Sequence, residues 1–488
     1  MSLGNDFVRL IDPAPGASDA TLPTRIKDAL IQRISSGAVA AGTRLPTIRQ
    51  LAQSLGVNPM TVAKAYKALA DLGYVESRGS GGTFARMPRT GGGTQHIEAA
   101  NAANVGPAVL SRQLFSLARA PGVIGFTTNY PDPKLADVAA FRTCLGEIAA
   151  DNSMRWFRYD PATGRDELRY ELVRFLARRG IISKMEEIIV TAGGQQALDL
   201  VARAHVMPGD AVVVERPTYF GGLNVLRAAR ARVLEVPLQP DGLDVARFQD
   251  IAETYRPRLL YINPTFHNPS GVTTSLAKRQ RILEIARRYG IAILEDDHCP
   301  ELRFAGEPVP SFKSLADPSE PVFYAAGFGK SLIPGIRLGF LLPPLGGGGP
   351  VTALKATTDL QSTAIIQGAL ALYLERGSHV RHIPAMLDVY RKRQRILLDA
   401  LRKYMPEAAP ARAPDGGLSL WITLPARADL SNMYFLAAQS GVAFASGDSF
   451  VASSDDTRHV RLSFGLTKDE DIPEGVRRLA TVVSELGS

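Results

Sequence analysis

Cysteine is nearly absent: Cys144 and Cys299 are the only two in 488 residues. They lie far apart without CxxC or Cys/His ligand spacing, which excludes a disulfide framework and makes a reducing cytoplasm the expected compartment. His267, His298 and Cys299 match no common zinc spacing, so no metal is expected. No apolar run approaches the roughly 20 residues that span a bilayer, and no membrane partner is expected. The opening MSLGNDFVRLIDPAPGASDA lacks a basic patch followed by an apolar core, which argues against a secretory signal. What is present is 45% hydrophobic and 21% charged residues in a chain too long for one ordinary core, so two or three folded units are expected. The net charge of +8 is uneven, because 11 Lys/Arg face 6 Asp/Glu up to Arg89. A basic excess near one end points to a polyanionic partner.

In that basic region, Ile26, Ala29, Leu30 and Ile34 recur at helical spacing before Ser35-Ser36-Gly37. Ile48, Leu51, Ala52 and Leu55 repeat the stripe, with Thr47 as N-cap and Gly56 as stop. Asn58 caps a third helix with Pro59 in its first position, and Val62, Ala65, Tyr66 and Leu69 form the inward face before Gly73. Two short amphipathic helices meeting across Gly56-Val57 form a helix-turn-helix, whose second helix enters the major groove. Its outward residues are Met60, Thr61, Lys64 and Lys67. Tyr74 to Arg78, a turn over Gly79 to Gly82, and Thr83 to Ala85 read as a hairpin wing. Arg78 on the wing, with Arg44 and Arg49 at the second helix's start, are candidate phosphate contacts.

Residues 86 to about 107 contain three consecutive glycines and no apolar period, the pattern of a flexible tether. Beyond Glu187, seven short apolar runs alternate with helical patterns: Ile188–Thr191, Ala211–Val214, Val233–Val236, Leu259–Ile262, Ile291–Glu295, Val322–Ala326 and Leu338–Leu342. The fold class is therefore α/β, a mostly parallel sheet covered by helices, with ligands beyond the strands' carboxyl ends. Unusual residues fall there. Thr191 to Ala197 holds a glycine pair at a helix start, suited to phosphate; Tyr219 supplies an aromatic face; Asn263 to Gly271 reads as a turn. Glu295-Asp296-Asp297-His298 ends an apolar strand in acids that need a cationic counterpart. Lys330 is a candidate Schiff-base amine and Arg337 a candidate phosphate partner.

The segment from Leu22 to Ala85 resembles the winged-helix domain of the GntR family, carried by GTRLPTIRQLAQSLGV and TVAKAYKALADLGY. The resemblance implies that Arg44, Arg49, Thr61, Lys64 and the wing around Gly81 contact DNA, beside Lys67 and Arg78 from the pattern above. From about Phe126 the chain resembles the fold-type I aminotransferases that use pyridoxal 5′-phosphate (PLP), through YDPATGRDELRYELVRFLARRGI, HNPSG, GFGKSLIPGIRLGF, GGLSLWITLP and HVRLSFG. This implies that Gly194 and Gln195 hold the phosphate, Tyr219 stacks on the ring, Asn268 bonds the ring oxygen, Asp296 pairs with the ring nitrogen, and Lys330 forms the internal aldimine. Ser331 and Arg337 become further phosphate partners, Arg461 matches a carboxylate clamp, and Asn129 is a candidate pocket residue for the effector. His298 stands where the related regulators usually have a tyrosine on the ring oxygen.

Together the halves resemble the MocR regulators. The implied organisation is a winged helix at 20–86, a linker at 87–107 and a PLP-binding effector domain at 108–488. The implied function is a homodimeric transcription regulator that binds promoter DNA and senses an amine, an amino acid or PLP by aldimine exchange at Lys330. Two alternatives stay open: a competent aminotransferase carrying a DNA-binding domain, and a regulator whose second half is only a dimerisation scaffold.

Overall fold

The computed structural model describes residues 21–35, 39, 42–77, 82–86, 122–425, 430–453, 455–456 and 458–486. The proposed linker, Arg78 and Gly81 lie outside the described residues. The chain divides into two compact units, residues 1–99 and 100–488.

In the first unit, α1 (Leu22–Ser35), α2 (Ile48–Leu55) and α3 (Pro59–Asp71) precede a hairpin of β1 (Val75–Ser77) and β2 (Thr83–Ala85). Thr47 caps α2 in a capping box with Gln50, and Gly56 ends it at φ 65°. The Asn58 side chain accepts the Met60 N–H at 2.8 Å, and Pro59 occupies the first turn, where no backbone donor is required. Ile26, Leu30, Ile34, Leu51, Ala52, Val62, Ala65, Tyr66 and Leu69 close one core. Most of the stripe residues read from the sequence are buried, whereas Ala29 and Leu55 are half-buried and Ile48 is 37% exposed.

The second unit is built on an eight-stranded sheet. Its strands are β4 (Ile189–Thr191), β5 (Ala211–Arg216), β6 (Arg232–Gln239), β7 (Gly242–Leu243), β8 (Leu259–Ile262), β9 (Ala292–Asp296), β10 (Val322–Gly327) and β11 (Gly339–Leu342), following a short β3 (Ile124–Gly125). The spatial order is β4-β11-β10-β9-β8-β5-β6-β7, in which only β11 and the two-residue β7 run against their neighbours. All seven apolar runs are strands of this sheet.

Successive side chains point to opposite faces, so each face has its own core. Val212, Val214, Leu259 and Tyr261 pack under α6 (Gly194–His205) and α7 (Phe220–Ala228), which follow α4 (Val138–Ala150) and α5 (Asp166–Ala177) in the chain. Val213, Leu260, Ile262 and Ile293 pack against α8 (Val245–Tyr255) and α9 (Leu276–Tyr289) on the other face. After the sheet, a further core joins the long helix Ser378–Tyr404 to an antiparallel sheet of Ser419–Thr423, Ala445–Ser446 and His459–Ser463. Burial on both faces explains why the central strands are continuously apolar rather than alternating. The carboxyl ends of β4, β5, β8, β9 and β10 open on one side, where the side chains change character.

Candidate functional site

A cavity of about 710 Å³ lies at those strand ends, lined among others by Tyr130, Gly194, Gln195, Tyr219, Asn268, Asp296, His298, Lys330 and Arg337. Eight residues singled out from sequence thus converge: Gly194, Gln195, Tyr219, Asn268, Asp296, His298, Lys330 and Arg337. Most stand at or beyond a strand's carboxyl end or at a helix start, and Arg337 lies just before β11.

Helix α6 begins at Gly194, and its N-cap Gly193 has φ 93°. An added Cβ at Gly193 would stand 2.8 Å from the Arg337 guanidinium. Arg337, with its own backbone left-handed at φ 48°, donates to the Ala192 carbonyl at 3.0 Å. Helix amides and an arginine therefore border one small space, an arrangement suited to a phosphate. Gln195 donates to the Gly221 carbonyl at 2.9 Å. An added Cβ at Gly221 would run into the Tyr219 ring, so that glycine leaves the aromatic its place.

Asp296 is buried, and its carboxylate accepts the Tyr261 hydroxyl at 2.8 Å. Burial pushes its pKa up to about 7; the Tyr261 hydrogen bond opposes the rise, Asp297 adds to it and Lys330 opposes it. Among the described residues Asp296 forms no ion pair. Lys330 donates to the Asn129 carbonyl, and its Nζ sits 5.0 Å from the centre of the Tyr130 ring. Burial brings its pKa down to about 8, so a neutral amine is within reach near neutrality.

His298 faces Asn263 Nδ2 through Nδ1 at 2.9 Å. Burial, then Lys330, His267 and Arg461, hold its pKa down to about 3. Asn268 accepts from Arg461 at 2.7 Å, which turns its amide oxygen to the arginine and leaves Nδ2 as its free donor face.

Three further expected site residues are not among those lining the cavity. Ser331 is buried and shares a 3.1 Å hydrogen bond with His379, so its hydroxyl is engaged away from the cavity lining. Arg461 is buried, gripping Asn268 and the Thr127 carbonyl at 2.6 Å, and does not line the cavity. The Asn129 side-chain oxygen accepts from Ser463 at 3.3 Å, and its backbone carbonyl accepts from Lys330. Sequence reasoning missed Tyr261, which reads as one more apolar strand residue, and Asn263, which reads as turn punctuation.

In the first unit, Arg44, Arg49, Lys64 and Lys67 are exposed and Thr61 is half-buried on the face opposite the core. Met60, 63% exposed, joins them on α3.

Residues 122–479 match the model of aminotransferase class I and II, and residues 22–85 match that of bacterial regulatory proteins of the gntR family. The regulator TauR of Rhodobacter capsulatus is 30% identical over 482 residues, which cover 96% of this chain and 97% of TauR. The chain belongs to the MocR-type GntR regulators. The probable rhizopine catabolism regulatory protein MocR of Rhizobium meliloti is also 30% identical, over 83% of this chain and 82% of its own. Among solved structures, α-aminoadipate aminotransferase LysN of Thermus thermophilus, complexed with N-(5′-phosphopyridoxyl)-L-leucine, superposes with a TM-score of 0.70. LysN is 29% identical, and the match covers 77% of this chain and 97% of LysN. As a MocR-type regulator, the chain joins a DNA-binding unit to an aminotransferase-like one. No described helix is long and apolar enough to cross a membrane.

Proposed function

We propose that this regulator binds operator DNA through residues 20–86 and holds PLP in the strand-end cavity, with 87–107 as tether and 108–488 as effector domain. The observation that carries the reading is the sharing of one cavity by the Lys330 amine, the helix start and guanidinium at Gly193–Arg337, and the carboxylate of Asp296, which has no ion pair among the described residues. A buried acid without a cation matches a protonated ring nitrogen. When bound, the group supplies an aldehyde carbon for which Lys330 and an incoming amine compete.

The chain's own residues hold and orient. The start of α6 and Arg337 take the phosphate, Tyr219 covers the ring, Asp296 keeps the ring nitrogen protonated, and Asn268 donates to the ring oxygen. The effector is an amine, an amino acid or PLP itself, and a ligand that favours one arrangement of the regulator shifts its population by its differential affinity. On DNA, Arg44, Arg49, Lys64, Lys67, Arg78 and the backbone at Gly81 meet phosphates, and Thr61 meets the groove. The regulator works in the cytoplasm as a homodimer. Met154, Phe157, Tyr159 and Leu360 are exposed apolar side chains available to the second copy.

The test is borohydride reduction of the PLP-treated protein followed by peptide mass spectrometry. An adduct on Lys330 that disappears in Lys330→Ala supports the reading, and its absence in the unaltered protein sinks it. Affinity for a DNA fragment selected from a random pool should then change with an effective amine and stay constant in Lys330→Ala.

A further inference from the structure

Asn263, the first residue beyond β8, is held through its backbone N–H and both ends of its side-chain amide. Its backbone N–H donates to Glu215 at 2.8 Å, and its side-chain oxygen accepts the Asn268 backbone N–H at 2.7 Å. A backbone N–H can only donate, so the orientation of the Asn263 amide is fixed. Its Nδ2 hydrogens then go to the Asp296 backbone carbonyl and to His298 Nδ1, 2.9 Å away. A ring nitrogen that receives an N–H carries no proton, and a neutral imidazole must keep its one proton on the other nitrogen. Flipping the amide to suit a protonated Nδ1 would set Nδ2 against the Asn268 N–H and the oxygen against the Asp296 carbonyl, losing two hydrogen bonds at once.

We propose that Asn263 is a positioning residue that fixes His298 as the neutral tautomer protonated on Nε2, so that the cavity meets its ligand with an imidazole N–H donor. Among the described residues that Nε2 has no hydrogen-bond partner, and His298 lines the cavity beside Asp296 and Lys330. The ligand atom it suits is an acceptor oxygen on a ring, beside the donor face of Asn268. This identification of the occupant rests on the PLP reading, whereas the tautomer does not. The charged and titratable groups facing the ring are Lys330, Arg461 and His267, with Asp296 beside it.

The tautomer is read directly by ¹⁵N NMR of the full-length, cofactor-free protein labelled in its seven histidines, with His298→Gln identifying the resonance. Expected from about pH 5 to about pH 8 is a bare Nδ1 and a protonated Nε2. Asn263→Asp, whose carboxylate can only accept, should move the proton to Nδ1. A protonated Nδ1 in the unaltered protein overturns the proposal whether or not the variant folds, as does an unchanged tautomer in a folded Asn263→Asp.

A second arm uses the PLP-loaded protein and the visible band of the bound cofactor. His298→Gln, which keeps an N–H donor, should preserve the pH midpoint of that band, while His298→Phe should shift it by about one unit or more. Equal midpoints in the two variants overturn the donor role. Failure of borohydride trapping at Lys330 is a separate result: it removes the cofactor reading and leaves the NMR answer standing.

Discussion

At the scale of single residues, folding makes the Asp296 carboxyl harder to ionise, because burial removes the water that would stabilise its charge. Its folded value of about 7 stands above the ordinary 3.8, so the folded chain holds that proton more tightly than the unfolded one does. The stability this confers is complete below about pH 4 and is lost as the pH rises through 7. Glu295, also buried and raised to about 7, adds to the same trend. Asp296→Asn should therefore raise the stability of the cofactor-free protein at pH 8, by on the order of 1 to 3 kcal/mol. The same change should weaken PLP retention by about tenfold or more. Thermal melts and dialysis against PLP check the two halves, and a variant less stable than the original at pH 8 would contradict the account. Asp296 was legible from sequence because an acid ending an apolar strand is costly without a purpose. Its partner Tyr261 was not, since within Leu-Leu-Tyr-Ile nothing marks the hydroxyl as engaged.

At the scale of elements, runs of β-branched and aliphatic residues located the seven main strands because burial on both faces leaves few other ways to place them. The two-residue β7 escaped, because so short a pairing carries no period. The phosphate cradle was partly legible: Gly193 and Gly194 stood out, but the approach of Arg337 to Gly193 depends on two loops meeting. Gly193→Ala should cost about 1 to 3 kcal/mol for its left-handed backbone. It should also displace the Arg337 guanidinium and weaken PLP binding, measurable by spectral titration. Position beside Lys330 or on a strand does not reveal the hydrogen bonds of Ser331 with His379 or of Arg461 with Asn268. In the DNA-binding unit, the caps were readable because Thr47 and Asn58 act on amides two or three residues away. Asn58→Ala should cost about 1 kcal/mol, seen as a lower denaturation midpoint of that unit.

At the scale of the whole molecule, exposed cations on one unit and a ligand cavity in the other give two separable readouts. Lys64→Ala should weaken DNA binding across sequences and lower the dependence of log affinity on log salt by about 1, while PLP uptake stays unchanged. Phe157→Asp should shift the proposed homodimer toward monomer in analytical ultracentrifugation by placing a charge among the exposed apolar side chains assigned to the second copy. The three consecutive buried acids at the end of β9 also touch how the molecule's energetics are measured. Near neutrality the empty site holds a fraction of a proton that a cationic ring nitrogen would expel. The calorimetric heat of cofactor uptake will then differ between phosphate and Tris, whose ionisation enthalpies differ, and the difference counts the protons released.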